Sequence, residues 1–112
     1  MKLTCPVCGY LSLNQETYGS YDVCQVCGWE DDQVQLANPC SEGGANSHSL
    51  YTYQLRISAS SYACEPFERD PAWRPLNANE IAFFQIARAS ALWSFEGIVD
   101  PEDVYWKKNV VR

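Results

Sequence analysis

Two short motifs, Cys5-Pro6-Val7-Cys8-Gly9 and Cys24-Gln25-Val26-Cys27-Gly28, restrict the folding of this chain more tightly than any other feature. Together they read C-x2-C-x15-C-x2-C, a spacing inside the window of four-cysteine zinc sites. Two intervening residues form a turn tight enough to aim both sulfurs at one point, and the glycine that follows supplies the positive φ such a turn needs. Cys5, Cys8, Cys24 and Cys27 are therefore the expected ligands of one Zn2+. Four thiolates complete a tetrahedron and leave no position for water, so the expected role of the ion is structural.

The thiol count alone would also fit a disulfide framework. The N-terminal residues Met1-Lys2-Leu3-Thr4 lack the apolar run of an export signal, and no long apolar stretch follows, so a cytoplasmic, non-membrane protein with reduced thiols is expected. Cys40 and Cys64 are then most simply free cysteines, with a disulfide between them as the alternative. A redox reading of Cys5-Pro6-Val7-Cys8 fails on context, because Gly9 stands where a helix should begin and a second motif lies at zinc spacing.

At 112 residues the chain is expected to be one domain spanning 1–112, with 46% apolar residues and enough aromatic side chains for a core. The expected class is α+β: a zinc-ribbon-like part over 1–65 with short antiparallel strands, then a helical extension over 66–112 packed on it. Strands are expected at residues 9–13 and 21–23, joined by a stretch rich in turn formers. Fourteen acidic against eight basic residues give a net charge of −6, which argues against a phosphate-binding surface. It suits a basic protein partner.

After the second motif, Trp29-Glu30-Asp31-Asp32 reads either as a solvated acidic turn beside an aromatic that covers the metal site or as an acidic patch for a partner. The Gly-rich residues 39–46 lack the Lys-Ser/Thr ending of a phosphate loop. A helix is expected from about His48 to Ser58, capped by Asn46 or Ser47, with Leu50, Tyr53 and Ile57 on one face. His48 reads as a surface residue, since the cysteines already fill a metal shell. Residues 65–75 hold Pro66, Pro71 and Pro75, which exclude regular helix and imply an extended strap anchored by Phe67 and Trp73.

Asn77 followed by Glu80 is a capping box for a helix running to about Phe95. Its apolar residues spread over more than one face. Asp100 to Asp103 form an acidic turn, and Val104-Tyr105-Trp106 with Val110-Val111 are expected as a final strand or hairpin. No matched base and nucleophile is visible, so the chain is not expected to be an enzyme.

Cys5-Pro6-Val7-Cys8-Gly9-Tyr10, Gly19-Ser20-Tyr21-Asp22-Val23-Cys24, Trp29-Glu30-Asp31-Asp32, Gly43-Gly44-Ala45-Asn46 and Ser49-Leu50 together resemble the bacterial cysteine-rich CPCC family. The resemblance extends to Ala63-Cys64 and leaves the region from Asn77 to Arg112 outside. It implies an immunity protein, monomeric when free, that binds a cognate toxin domain in the cytosol and blocks its cleft. Contact residues proposed on that basis are Glu30, Asp31, Asp32, Phe83, Phe84 and Trp93. The alternative is a zinc ribbon that binds nucleic acid or regulates another machine.

Overall fold

A chain whose N-terminal part is poor in Leu, Ile and Val has to build its interior from cysteine and aromatic side chains, and this one does. The computed structural model describes residues 2–58, 66–89 and 100–107. Strand β1 (Leu3–Thr4) pairs antiparallel with β2 (Leu11–Leu13). Leu3 faces Leu13 and Thr4 faces Leu11, so Ser12 is left over as a bulge. A bulge redirects the side chain it carries, and Ser12 points its hydroxyl into the cysteine cluster.

The second expected strand, residues 21–23, reduces to one bridge between Val23 and Glu30. The proline-rich strap is extended, as expected, and it also pairs with the sheet. Leu11 N–H donates to Glu68 O at 2.7 Å, Asp70 N–H donates to Gly9 O at 2.8 Å, and Tyr10 bridges Arg69 between them. Phe67 and Trp73 both pack on the core.

Three helices follow the ribbon. Helix α1 (Gln33–Ala37) was not expected from the sequence; the Asp32 carboxylate caps it by accepting from Val34 N–H and Gln35 N–H. Helix α2 (Leu50–Ser58) begins two residues later than expected, because Ser49 is the residue whose Oγ accepts Thr52 N–H at 3.1 Å. Asn46, one of the expected caps, pairs instead with the backbone of Glu30. Helix α3 (Ala78–Ala89) carries the expected capping box, with Glu80 N–H on Asn77 Oδ1 at 2.8 Å and Asn77 N–H on Glu80 Oε1 at 3.0 Å. The expected continuation to Phe95 lies outside the described residues.

The strand expected at Val104-Tyr105-Trp106 is a correction. These residues enter a 3-10 turn, Tyr105–Lys107, closed by Lys107 N–H on Val104 O. All three side chains are buried, and adjacent residues of a strand point to opposite faces, so a tight turn is what lets them enter one core. The other arm of the expected hairpin, Val110-Val111, lies outside the described residues.

A polar network fastens this outer layer to the first cysteine motif. Gln54 Nε2 donates to Pro6 O at 2.8 Å and to the Tyr105 hydroxyl at 2.7 Å, while its Oε1 accepts Leu76 N–H. Tyr105 Oη in turn donates to Arg74 O. Arg74 forks onto Glu80 at 2.7 and 3.0 Å, and Glu80 is almost wholly buried. Buried amide and carboxylate groups are tolerated only when paired in this way.

Candidate metal centre

Each cysteine motif folds into the same knuckle. Gly9 N–H returns to Cys5 O and Gly28 N–H to Cys24 O, both at 2.9 Å; Cys5 N–H reaches Tyr10 O and Cys24 N–H reaches Trp29 O, both at 2.8 Å. The glycines take φ of 79° and 82°, the left-handed region that a Cβ disfavours. The two knuckles face each other and bring four sulfurs together, Cys5 and Cys27 at 3.5 Å, Cys8 and Cys24 at 3.7 Å, all within 4.8 Å.

That spacing fits a metal tetrahedron. A Zn–S bond of 2.3 Å places tetrahedral sulfurs about 3.8 Å apart, and the donor set is all thiol with no His, Asp or Glu joining it among the described residues. Cys5, Cys8 and Cys24 are buried and Cys27 partly so. Burial pushes the Cys5 thiol well above its ordinary pKa. Cys24 is pushed far down, chiefly by hydrogen bonding with Cys27, Cys5 and Cys8, and Cys27 is pushed up, chiefly by the same pairing with Cys24. A divalent cation bound there would displace the thiol protons.

Groups outside the four cysteines shape the centre. Ser12 Oγ lies 2.9 Å from Cys24 Sγ, and Val26 N–H and Cys27 N–H approach the same sulfur at 3.4 and 3.5 Å. Trp29 is fully buried in the same core cluster as the cysteines and meets Tyr53 edge to face at 5.3 Å. Ser12 and Gln54 escaped the sequence reading and Asn46 was read there only as a helix cap, because a bulge, a shared side-chain amide and an amide mimicking a strand leave no spacing signal.

The acidic run does not form the patch expected of it. Asp31 is fully buried; its Oδ2 accepts Gly19 N–H, Ser20 N–H and the Ser20 hydroxyl. Asp32, 4% exposed, caps α1 and accepts Ala45 N–H. Only Glu30 of the three stays partly open. On α3, Phe83 is exposed while Phe84 packs inward against the core; their rings touch edge to face. Trp93 and Cys64 lie outside the described residues. Cys40 is buried, its Sγ 3.9 Å from Ile81 O, and His48 sits apart from the cluster, partly exposed, near Glu42 and Arg56.

Two glycine-ended knuckles enclosing four thiols define a small α+β protein built around a cysteine cluster suited to metal binding. This chain belongs to the cysteine-rich CPCC family, whose model matches residues 3–80. The match passes beyond Ala63-Cys64, where the resemblance read from the sequence stopped, and takes in the strap and the capping box of α3. No curated protein matches the chain. No helix among the described residues is long and apolar enough to cross a membrane.

Proposed function

We propose that Cys5, Cys8, Cys24 and Cys27 bind one zinc ion in a purely structural role, and that the chain is a cytoplasmic immunity protein that binds and occludes a toxin domain rather than an enzyme. The closed, all-thiol donor set carries the structural part: zinc bound there supplies a cross-link with no site for water or substrate. The chain's own residues supply the rest of the centre, Ser12 and the amides of Val26 and Cys27 donating toward Cys24.

Support for a protein partner comes from the net charge of −6 and from exposed apolar side chains on α3. Phe83 is 54% exposed and Ile86, one turn further on, 67%. Acidic charge speeds encounter with a basic surface, and aromatic anchors hold it. With Asp31, Asp32 and Phe84 engaged inside the fold, the contact set narrows to Glu30, Phe83 and Trp93, joined by Ile86.

Metal analysis of protein purified without added zinc tests the first part: one equivalent per chain is expected, and a metal-free folded chain refutes it. Co-expression with a toxin encoded beside the gene tests the second. Growth rescue is expected, weakened by Phe83→Glu; loss of rescue by a soluble, zinc-loaded chain refutes immunity and leaves the metal assignment standing.

A further inference from the structure

The two knuckles share one backbone but not one environment. Their copied turns set Pro6 against Gln25 and Gly9 against Gly28. The first knuckle is covered by the strap: Gly9 O accepts Asp70 N–H at 2.8 Å, and Pro6 O accepts the Trp73 indole N–H at 3.1 Å. The Trp73 ring lies so close over Gly9 that a Cβ there would come within 2.5 Å of it. As a result Pro6 to Tyr10 are all buried.

The second knuckle is bare at the matching positions. Gln25 and Gly28 are exposed, and no described atom lies within 4 Å of a Cβ placed on Gly28. Among the described residues nothing donates to Gln25 O or Gly28 O. Only the far end is already satisfied: where Leu11 N–H meets Glu68 O, Glu30 N–H meets Asn46 Oδ1 at 2.8 Å.

We propose that this bare face is a docking site for an extended segment of a partner protein, bearing an aromatic anchor with basic flanks, seated on Gly28 as the strap is seated on Gly9. The strap itself defines the chemistry of the occupant: main-chain N–H groups for the knuckle carbonyls and a flat ring for the glycine. Charge sets the flanks. The Val23–Glu30 bridge puts those two side chains on one face, and the Glu30 carboxylate has no partner among the described residues. The chain carries a net charge of −6, which favours a cationic peptide over a nucleic acid.

The rim is built to present side chains outward. Tyr21 is 58% exposed and Val23 50%. Tyr21 also adopts φ of 60°, the one non-glycine positive φ among the described residues, held by its N–H on Asp31 O at 2.9 Å. A left-handed tyrosine stores strain that its own packing does not recover, and exposed tyrosines are favoured interface anchors. The inference deepens the partner-binding reading without requiring that the partner be a toxin.

The test is titration of the isotope-labelled, zinc-loaded full chain with a lysine-flanked synthetic peptide of the strap, residues 66–75, followed by amide spectra. Saturable shifts are expected at Tyr21, Val23, Gln25 and Gly28. Replacing the peptide's tryptophan by alanine, or introducing Val23→Lys in the protein, should weaken binding by about tenfold or more, as loss of an interface anchor does. Absence of shifts at the peptide's solubility limit, shifts confined to Gly9 and Tyr10 by competition with the resident strap, or tighter binding of a DNA oligonucleotide to the same face would each overturn the proposal. Growth rescue is measured independently, so the failure of one reading leaves the other visible.

Discussion

Alanine at the two knuckle glycines separates backbone strain from steric overlap. Gly9 and Gly28 have nearly equal φ, 79° and 82°, so a Cβ costs each about 1–2 kcal/mol in left-handed strain. At Gly28 nothing described stands within 4 Å of that Cβ, and the cost ends there. At Gly9 the new methyl would sit 2.5 Å from the Trp73 ring, whose N–H is tied to Pro6 O. The ring has to move, adding about 1–3 kcal/mol for overpacking and about 1 kcal/mol for the indole hydrogen bond. Gly9→Ala should therefore be less stable than Gly28→Ala by about 2–4 kcal/mol, a urea midpoint lower by about 1 M or more. The two variants should be unfolded at one fixed free zinc concentration, since bound metal shifts stability by mass action. Equal midpoints would refute the strap's seat on the first knuckle.

Three further outcomes follow from the same structure. Removing the metal with a chelator, or introducing Cys24→Ser, should abolish the near-ultraviolet signal of buried Trp29, because structural zinc supplies about 10–16 kcal/mol of apparent binding energy, comparable to the whole stability of a domain. Asp31→Ala should cost about 1–3 kcal/mol by stranding Gly19 N–H and Ser20 N–H, whereas Glu30→Ala should stay within about 0.5 kcal/mol; thermal melts that rank them the other way would contradict the burial of Asp31. Burial alone would raise the Glu80 carboxyl, but its hydrogen bonds to Arg74 and Asn77 outweigh that and leave it below the usual 4.5. A depressed folded pKa stabilises above the unfolded value and is lost as pH falls through the folded one. Glu80→Gln should accordingly be less stable at neutral pH and show a flatter loss of stability below about pH 4.5.

How much of this was legible in the sequence depended on whether a signal was local. Cysteine spacing, the glycine after each pair, the prolines of the strap and the Asn77–Glu80 box all act within a few residues, and each led to the element observed. Asp31 and Asp32 were misread because three adjacent acids look solvated, while their partners, the amides of Gly19, Ser20 and Ala45, lie more than ten positions away. Helix α1 did carry a signal, Asp32 followed three residues on by Gln35, the pattern of a capping box. Val104-Tyr105-Trp106 fits strand or tight turn equally by hydrophobicity, and only the position of the surrounding core decided between them.

The tie from Gln54 and Trp73 to Pro6 bears on the order in which the molecule assembles. Cys5 and Cys27 are 22 positions apart, whereas Trp73 lies 67 positions from Pro6 and Tyr105 lies 51 from Gln54. Closing a longer loop costs more entropy, and contacts distant in sequence form later. During synthesis the sulfurs meet well before the residues that roof them have emerged, so a growing chain passes through a stage in which its thiolates are gathered but uncovered. Cellular metal supply and oxidants act on the nascent protein in that interval.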